Sequence, residues 1–232
     1  MEFTLLWQAG LGVLAALVVA RFQSRRGLVP RDLGLGDRLV GAAAVGVLVG
    51  RLAAMIVQGA NPILAPADIL VVRGGVHTGA ASLAALATLA WGLRSNLWHG
   101  LDAAAPAALA GLAGWHAGCV FRGACLGTVS GLPWALAQPG STITRHPVEL
   151  YAAGLYALTA AGALWVGRRW APGVLAGLAL AVAALARLAT QPLRPSIGGG
   201  PIGWYLAGTV AGLVVTVVRH RSGGDAATTK QR

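Results

Sequence analysis

Residues 37–58 read DRLVGAAAVGVLVGRLAAMIVQ, an apolar run in which Arg51 stands alone as a charge well inside. At 1.5 Å of rise per residue, such a helix reaches across the ~30 Å hydrocarbon core of a bilayer. Windows near 4–21, 75–93, 101–122, 149–166, 172–191 and 201–218 have the same character. The expectation is an all-α polytopic membrane protein of about seven transmembrane helices in a single domain over residues 1–220. A disordered tail over 221–232 should follow. Composition agrees, with 56% apolar residues and only 11% charged and a mean hydropathy of +0.68. That excludes an ordinary soluble domain. Membrane barrels are excluded too, because their strands are alternating segments of roughly ten residues and these runs are longer and continuous. The first apolar run has its positive cluster after it rather than before it, which reads as a retained span and not a signal peptide.

The eighteen Lys and Arg residues set the orientation. Arg21, Arg25, Arg26, Arg31 and Arg38 follow the first run, Arg94 the third, and Arg168 and Arg169 the fifth. Arg219, Arg221, Lys230 and Arg232 follow the last. All twelve fall on one side of an alternating seven-span topology, so the positive-inside rule makes that side cytoplasmic and the N-terminus external. Basic residues scattered singly and in pairs between apolar runs are not the clustered patch that binds nucleic acid, and no nucleic-acid partner is expected.

Six arginines remain outside this pattern: Arg51, Arg73, Arg122, Arg145, Arg187 and Arg194. In the same topology His116 lies in the outer half of the fourth span, while His77 and Glu149 open the third and fifth. Several helices thus bring ionisable groups to one depth near the outer face, where each would cost ~2.5 kcal/mol or more if it met lipid at the bilayer centre. A shared polar cavity is the economical arrangement. Guanidinium groups grip phosphate oxygens bidentately and keep their charge when desolvated, so the cavity suits an anionic lipid head group. Cys119 and Cys125, six apart, fit neither a disulfide framework nor a zinc-ligand pair and read as small membrane-packed thiols. No metal or organic cofactor site is read, since His, Cys and acidic residues lack ligand spacing.

Four segments carry a resemblance. Arg145-His146-Pro147-Val148-Glu149-Leu150-Tyr151 resembles the Arg-His-Pro-x-Gln-Leu-Tyr motif of prolipoprotein diacylglyceryl transferases. Gly118-Cys119-Val120-Phe121-Arg122-Gly123-Ala124-Cys125-Leu126-Gly127 is similar to that family's Gly-Asn/Cys-Phe-x-x-Gly-x-x-x-Gly signature. Arg187 and Arg194 keep the spacing of the two arginines that follow the family's sixth span, and Gly74-Gly75 resembles the start of its Gly-Gly-x-x-x-His stretch. Departures are specific. His116 stands at an arginine of the family, Glu149 at its glutamine, and Gly79 at its histidine, with His77 two residues early. Ala183 and Ala9 replace tyrosines.

The resemblance implies an enzyme of the bacterial cytoplasmic membrane that moves diacylglycerol from phosphatidylglycerol to the lipobox cysteine thiol of a preprolipoprotein. Glycerol phosphate would leave at the external face. The implied catalytic residues are His77 or His116 as base and Arg187 as a phosphate cation. Substrate-binding roles fall to Arg51, Cys119, Arg122, Gly127, Arg145, His146, Glu149, Tyr151 and Arg194. Alternatives are a non-catalytic phospholipid- or lipoprotein-binding protein derived from the family and a transporter, which would need a polar path across the membrane.

Overall fold

The structure, a computed structural model, describes residues 4–30, 33–64, 66–70, 75–123, 125–166, 170–194 and 200–229. Arg73 and Gly74 lie outside them. The protein is 75% helical. Its helices are α1 (Thr4–Arg25), α2 (Leu35–Val57), α3 (Ala67–Leu70), α4 (Thr78–Gly92), α5 (Leu97–Ala117), α6 (Val148–Val166), α7 (Val174–Thr190) and α8 (Ile202–Thr229). Among the described residues, five helical stretches are long and apolar enough to cross a membrane: Leu35–Val57, Arg94–Phe121, Val148–Val166, Val174–Leu193 and Ile202–Ser222. The other two expected spans are helices as well. α1 has 22 residues, but α4 has only 15, short of the ~20 a perpendicular crossing needs. The window expected over 75–93 starts late because residues 75–77 are not helical, Gly75 standing in the left-handed region at φ 74° and His77 capping the helix from an extended conformation. At the other end of the chain, α8 continues as helix through Thr229 where a disordered tail was expected from 221. No proline interrupts it.

Contacts divide the chain into two compact units, one of Met1–Arg31 with Asp102–Arg232 and one of Asp32–Leu101. In the smaller unit, α2 and α4 pack closely through small residues. A Cβ added at Gly46 would stand 2.8 Å from the Ala85 side chain and 2.9 Å from the Ala81 carbonyl oxygen, so only hydrogen fits. Arg51, buried on α2, donates through Nε and Nη2 to the Asp68 carbonyl at 3.2 and 2.9 Å and through Nη1 to the Gly75 carbonyl at 3.1 Å. The backbone N–H of His77 donates to the Gly50 carbonyl at 2.9 Å. The lone charge inside the second apolar run therefore ties down the connection between α2 and α4.

The larger unit has its core between α5, α6 and α7, where Leu109, Ala110, Ala152, Tyr156, Ala160 and Leu175 pack together. Alanines dominate this core, which allows the close approach that substitutes for bulk in membrane helix packing. Outward faces are apolar as well: Leu206, Val210, Leu213, Val214 and Val217 of α8 are all exposed. Lipid satisfies such a face and water does not.

α7 begins after Gly173, which has no side chain to cap it. Asp102 of α5 supplies the cap from a distance, its carboxylate accepting from the N–H groups of Gly173 and Ala176, both at 2.7 Å. Asp102→Ala should lower stability by ~1–2 kcal/mol, the cost of a lost cap, read as a fall in Tm of the protein in detergent. An unchanged Tm would show that these N–H groups find other partners. Between α5 and α6 the chain forms a two-stranded antiparallel hairpin, β1 (Leu136–Ala137) with β2 (Thr144–Arg145), in the register Leu136 opposite Arg145.

Candidate active site

Three elements of the larger unit end at one place. α5 brings His116 in its last turn, α6 brings Glu149 in its first, and α7 brings Arg187 in its last, while Arg194 follows the short turn Gln191–Leu193. Glu149 is the centre. Its Oε2 accepts from His116 Nδ1 at 2.6 Å and from Arg187 Nη1 at 3.1 Å, and its Oε1 accepts from Arg194 Nη2 at 2.6 Å. His116 and Arg187 are each 9% exposed. Burying these charges is tolerable because they are paired and hydrogen-bonded to one another. The His116 ring lies 5.3 Å from that of Tyr156, whose hydroxyl donates to the Ala183 carbonyl at 3.1 Å. The Arg187 guanidinium stands 6.0 Å from the Tyr205 ring centroid.

A second layer of hydrogen bonds holds these residues through the segment Cys125–Thr128. The Glu149 N–H donates to the Cys125 carbonyl at 3.3 Å. The Gly127 N–H donates to the His146 carbonyl at 2.7 Å, the His146 N–H to the Thr128 carbonyl at 3.0 Å, and the Thr128 N–H to the Leu193 carbonyl at 2.8 Å. Arg145 Nη1 adds a bond to the Gly127 carbonyl at 3.2 Å. Gly127 has to be glycine here, because a Cβ would run into the Leu193 carbonyl and the Val148 side chain. Trp134 Nε1 donates to the Tyr151 hydroxyl at 2.8 Å, which leaves that hydroxyl's hydrogen for His146 Nδ1 at 3.3 Å.

The expected site residues thus sort by place. His116, Glu149, Arg187 and Arg194 share one carboxylate. Arg145, His146, Tyr151 and Gly127 belong to the loop scaffold beside it. Arg51 and His77 belong to the smaller unit, where His77 Nδ1 accepts from the Ala80 N–H at 3.2 Å as the cap of α4. Arg122 ends the turn Gly118–Arg122, and its side chain lies outside the described set. Cys119 needs correction. It is not a free membrane-packed thiol but is joined to Cys125 by a disulfide, with Cα atoms 5.0 Å apart, and the pair is buried. A spacing of six does not reveal the tight turn between them, in which Gly123 takes the left-handed conformation at φ 60° and returns the chain. Equally unforeseen was Glu149 holding both arginines. The available signal was that positions 116 and 149 both depart from the family's motifs, and the two side chains touch.

Among the described residues no group of three or more His, Cys, Asp or Glu side chains could hold a metal ion. Apolar helices exposing apolar faces, with a buried charged cluster at their ends, define a multi-pass helical membrane protein. The chain belongs to the prolipoprotein diacylglyceryl transferase family, whose model matches residues 5–220, nearly its whole length. This is a family of transferases. No match emerges among curated proteins.

Proposed function

We propose that the chain transfers the diacylglyceryl group of phosphatidylglycerol to the thiol of a lipobox cysteine, with His116 as the base and Arg187 and Arg194 as the phosphate cations. The observation that carries this reading is the shared Glu149 carboxylate. A carboxylate only accepts, so His116 must donate to it from Nδ1, which leaves the Nε2 lone pair to take a proton. This is the arrangement in which a carboxylate sets the tautomer of a catalytic imidazole. His77 has the opposite tautomer. Its Nδ1 accepts from the Ala80 N–H, so its ring proton sits on Nε2 and the neutral ring offers a donor there. Of the two histidines, His116 fits the base.

In the reaction His116 Nε2 takes the acceptor's S–H proton, and the resulting thiolate attacks the glyceryl carbon that bears the phosphate ester. The carbon–oxygen bond breaks, and glycerol phosphate leaves with the electron pair. Arg187 and Arg194 each give one N–H to Glu149, and a guanidinium has five, so both can meet the charge that develops on the phosphate. On the reading of seven spans with an external N-terminus, drawn from the distribution of Lys and Arg, this end of α5, α6 and α7 faces the outer side of a bacterial cytoplasmic membrane. The Cys119–Cys125 disulfide supports that side, because disulfides persist in oxidising compartments.

The test uses the purified full chain in phosphatidylglycerol vesicles with a lipobox peptide. Mass analysis should find the peptide heavier by one diacylglyceryl group. Retained lipid binding without an adduct would move the reading to a phospholipid-binding protein.

A further inference from the structure

The transferase reading gives the disulfide no part in the reaction, yet the bond adjoins the site. Cys119 follows His116 by three residues in the turn that closes α5, and Cys125 supplies the carbonyl that receives the Glu149 N–H. The covalent bond therefore spans the two sides of the His116–Glu149 contact. On one side stands the end of the helix that carries the imidazole. On the other stands Cys125–Thr128, which is hydrogen-bonded to Glu149, to His146 and to Leu193, the neighbour of Arg194. Along the chain, the described link from one side to the other is the Gly118–Arg122 turn and the left-handed Gly123. Both sulfur-bearing residues are buried, Cys119 at 2% and Cys125 at 5% exposure, so the bond lies inside the fold and out of reach of an acceptor thiol.

We infer that the Cys119–Cys125 disulfide is a positioning element for the reaction, fixing the end of α5 against the Cys125–Thr128 segment so that His116 meets Glu149. Neither cysteine touches substrate. Their effect passes through the Cys125 carbonyl to Glu149, and from Glu149 to the ring of His116 and the two guanidinium groups. The inference rests on the transferase reading for its catalytic consequence, but the bond and its structural effect can be measured without any turnover.

Three measurements on the full chain decide it. The wild-type protein, denatured without reductant and treated with N-ethylmaleimide, should show no added mass, and two adducts would overturn the inference outright. In Cys119→Ala/Cys125→Ala, hydrogen exchange in peptides covering 125–128 and 146–149 should accelerate by about tenfold or more, since local opening of the segment becomes easier. Unchanged protection there would overturn it as well. Should the alanine pair fail to fold, Cys119→Val/Cys125→Ala restores buried volume without the bond and takes its place. The third measurement is coupling. The cysteine pair should lower kcat by about tenfold, and adding Glu149→Gln to it should cost less than the product of the two separate losses, because contacting elements are not additive. Fully multiplicative losses would overturn positioning through Glu149. If the wild type transfers no diacylglycerol, the transferase reading falls, while the mass and exchange results still decide whether the bond holds this segment.

Discussion

His116→Ala should lower diacylglyceryl transfer by roughly 10²–10³-fold, a loss in the range expected when a positioned general base is removed, while binding of phosphatidylglycerol changes little. The assignment follows from the tautomer that Glu149 imposes at 2.6 Å. With Nδ1 committed to the carboxylate, Nε2 is the ring position able to accept the thiol proton, and alanine leaves nothing in its place. His116→Arg separates the two roles this position could play. Arginine restores the residue found in the family motif and adds a permanent cation, but it cannot accept a proton at neutral pH. Turnover should therefore fall in His116→Arg about as far as in His116→Ala, read as kcat in the vesicle assay. Near-wild-type turnover in the arginine variant would make position 116 a phosphate cation and remove it as the base. If His77→Ala alone abolished transfer, the base would pass to His77, and its capping of α4 would have to be broken during the reaction.

Much of the fold was legible because long apolar runs in lipid have one solution, a helix that satisfies its own backbone. The run over 37–58 is α2 and that over 149–166 is α6, each matching to within a residue or two. Helix ends were less legible, since they depend on caps supplied from elsewhere in the chain. Residues 75–77 stay outside the helix before α4, and α7 is capped by Asp102, 71 positions before Gly173. The site was visible as a collection of costly charges but not as a circuit. Sequence could say that Arg187, Arg194 and His116 were too expensive to face lipid, and it could not say that a single acidic side chain answers all three. Glu149 is 33 residues from His116, 38 from Arg187 and 45 from Arg194, and no local periodicity encodes such distances. Arg51 shows the same limit from the other direction. Its burial is real, but its donors go to the Asp68 and Gly75 carbonyls and serve the backbone of a connection.

Glu149 should separate stability from chemistry when it is replaced in two ways. Glu149→Ala removes the acceptor shared by Arg187, Arg194 and His116, leaving buried guanidinium groups without their counter-charge. Breaking a buried pair by deleting one partner costs about 3–5 kcal/mol, and the side chains of Glu149 and Arg187 are only 15% and 11% exposed, so little of that is screened. Arg194, at 31%, contributes at the lower end. A large fall in Tm in detergent, or failure to fold, is the expected result for the alanine. Glu149→Gln keeps an oxygen acceptor and nearly the same volume, so it should fold. Its amide nitrogen, however, can face the imidazole as a donor, which would put the ring proton on Nε2 and take away the base. Transfer should then fall by about 10²-fold or more, as when a catalytic imidazole is held in the wrong tautomer, with Tm close to wild type. Glutamine is the residue the family motif carries here, so the result also bears on why this chain departs from it. If Glu149→Gln transferred diacylglycerol at the wild-type rate, the carboxylate would be only the electrostatic partner of two buried arginines, and His116 would owe its reactivity to something other than Glu149.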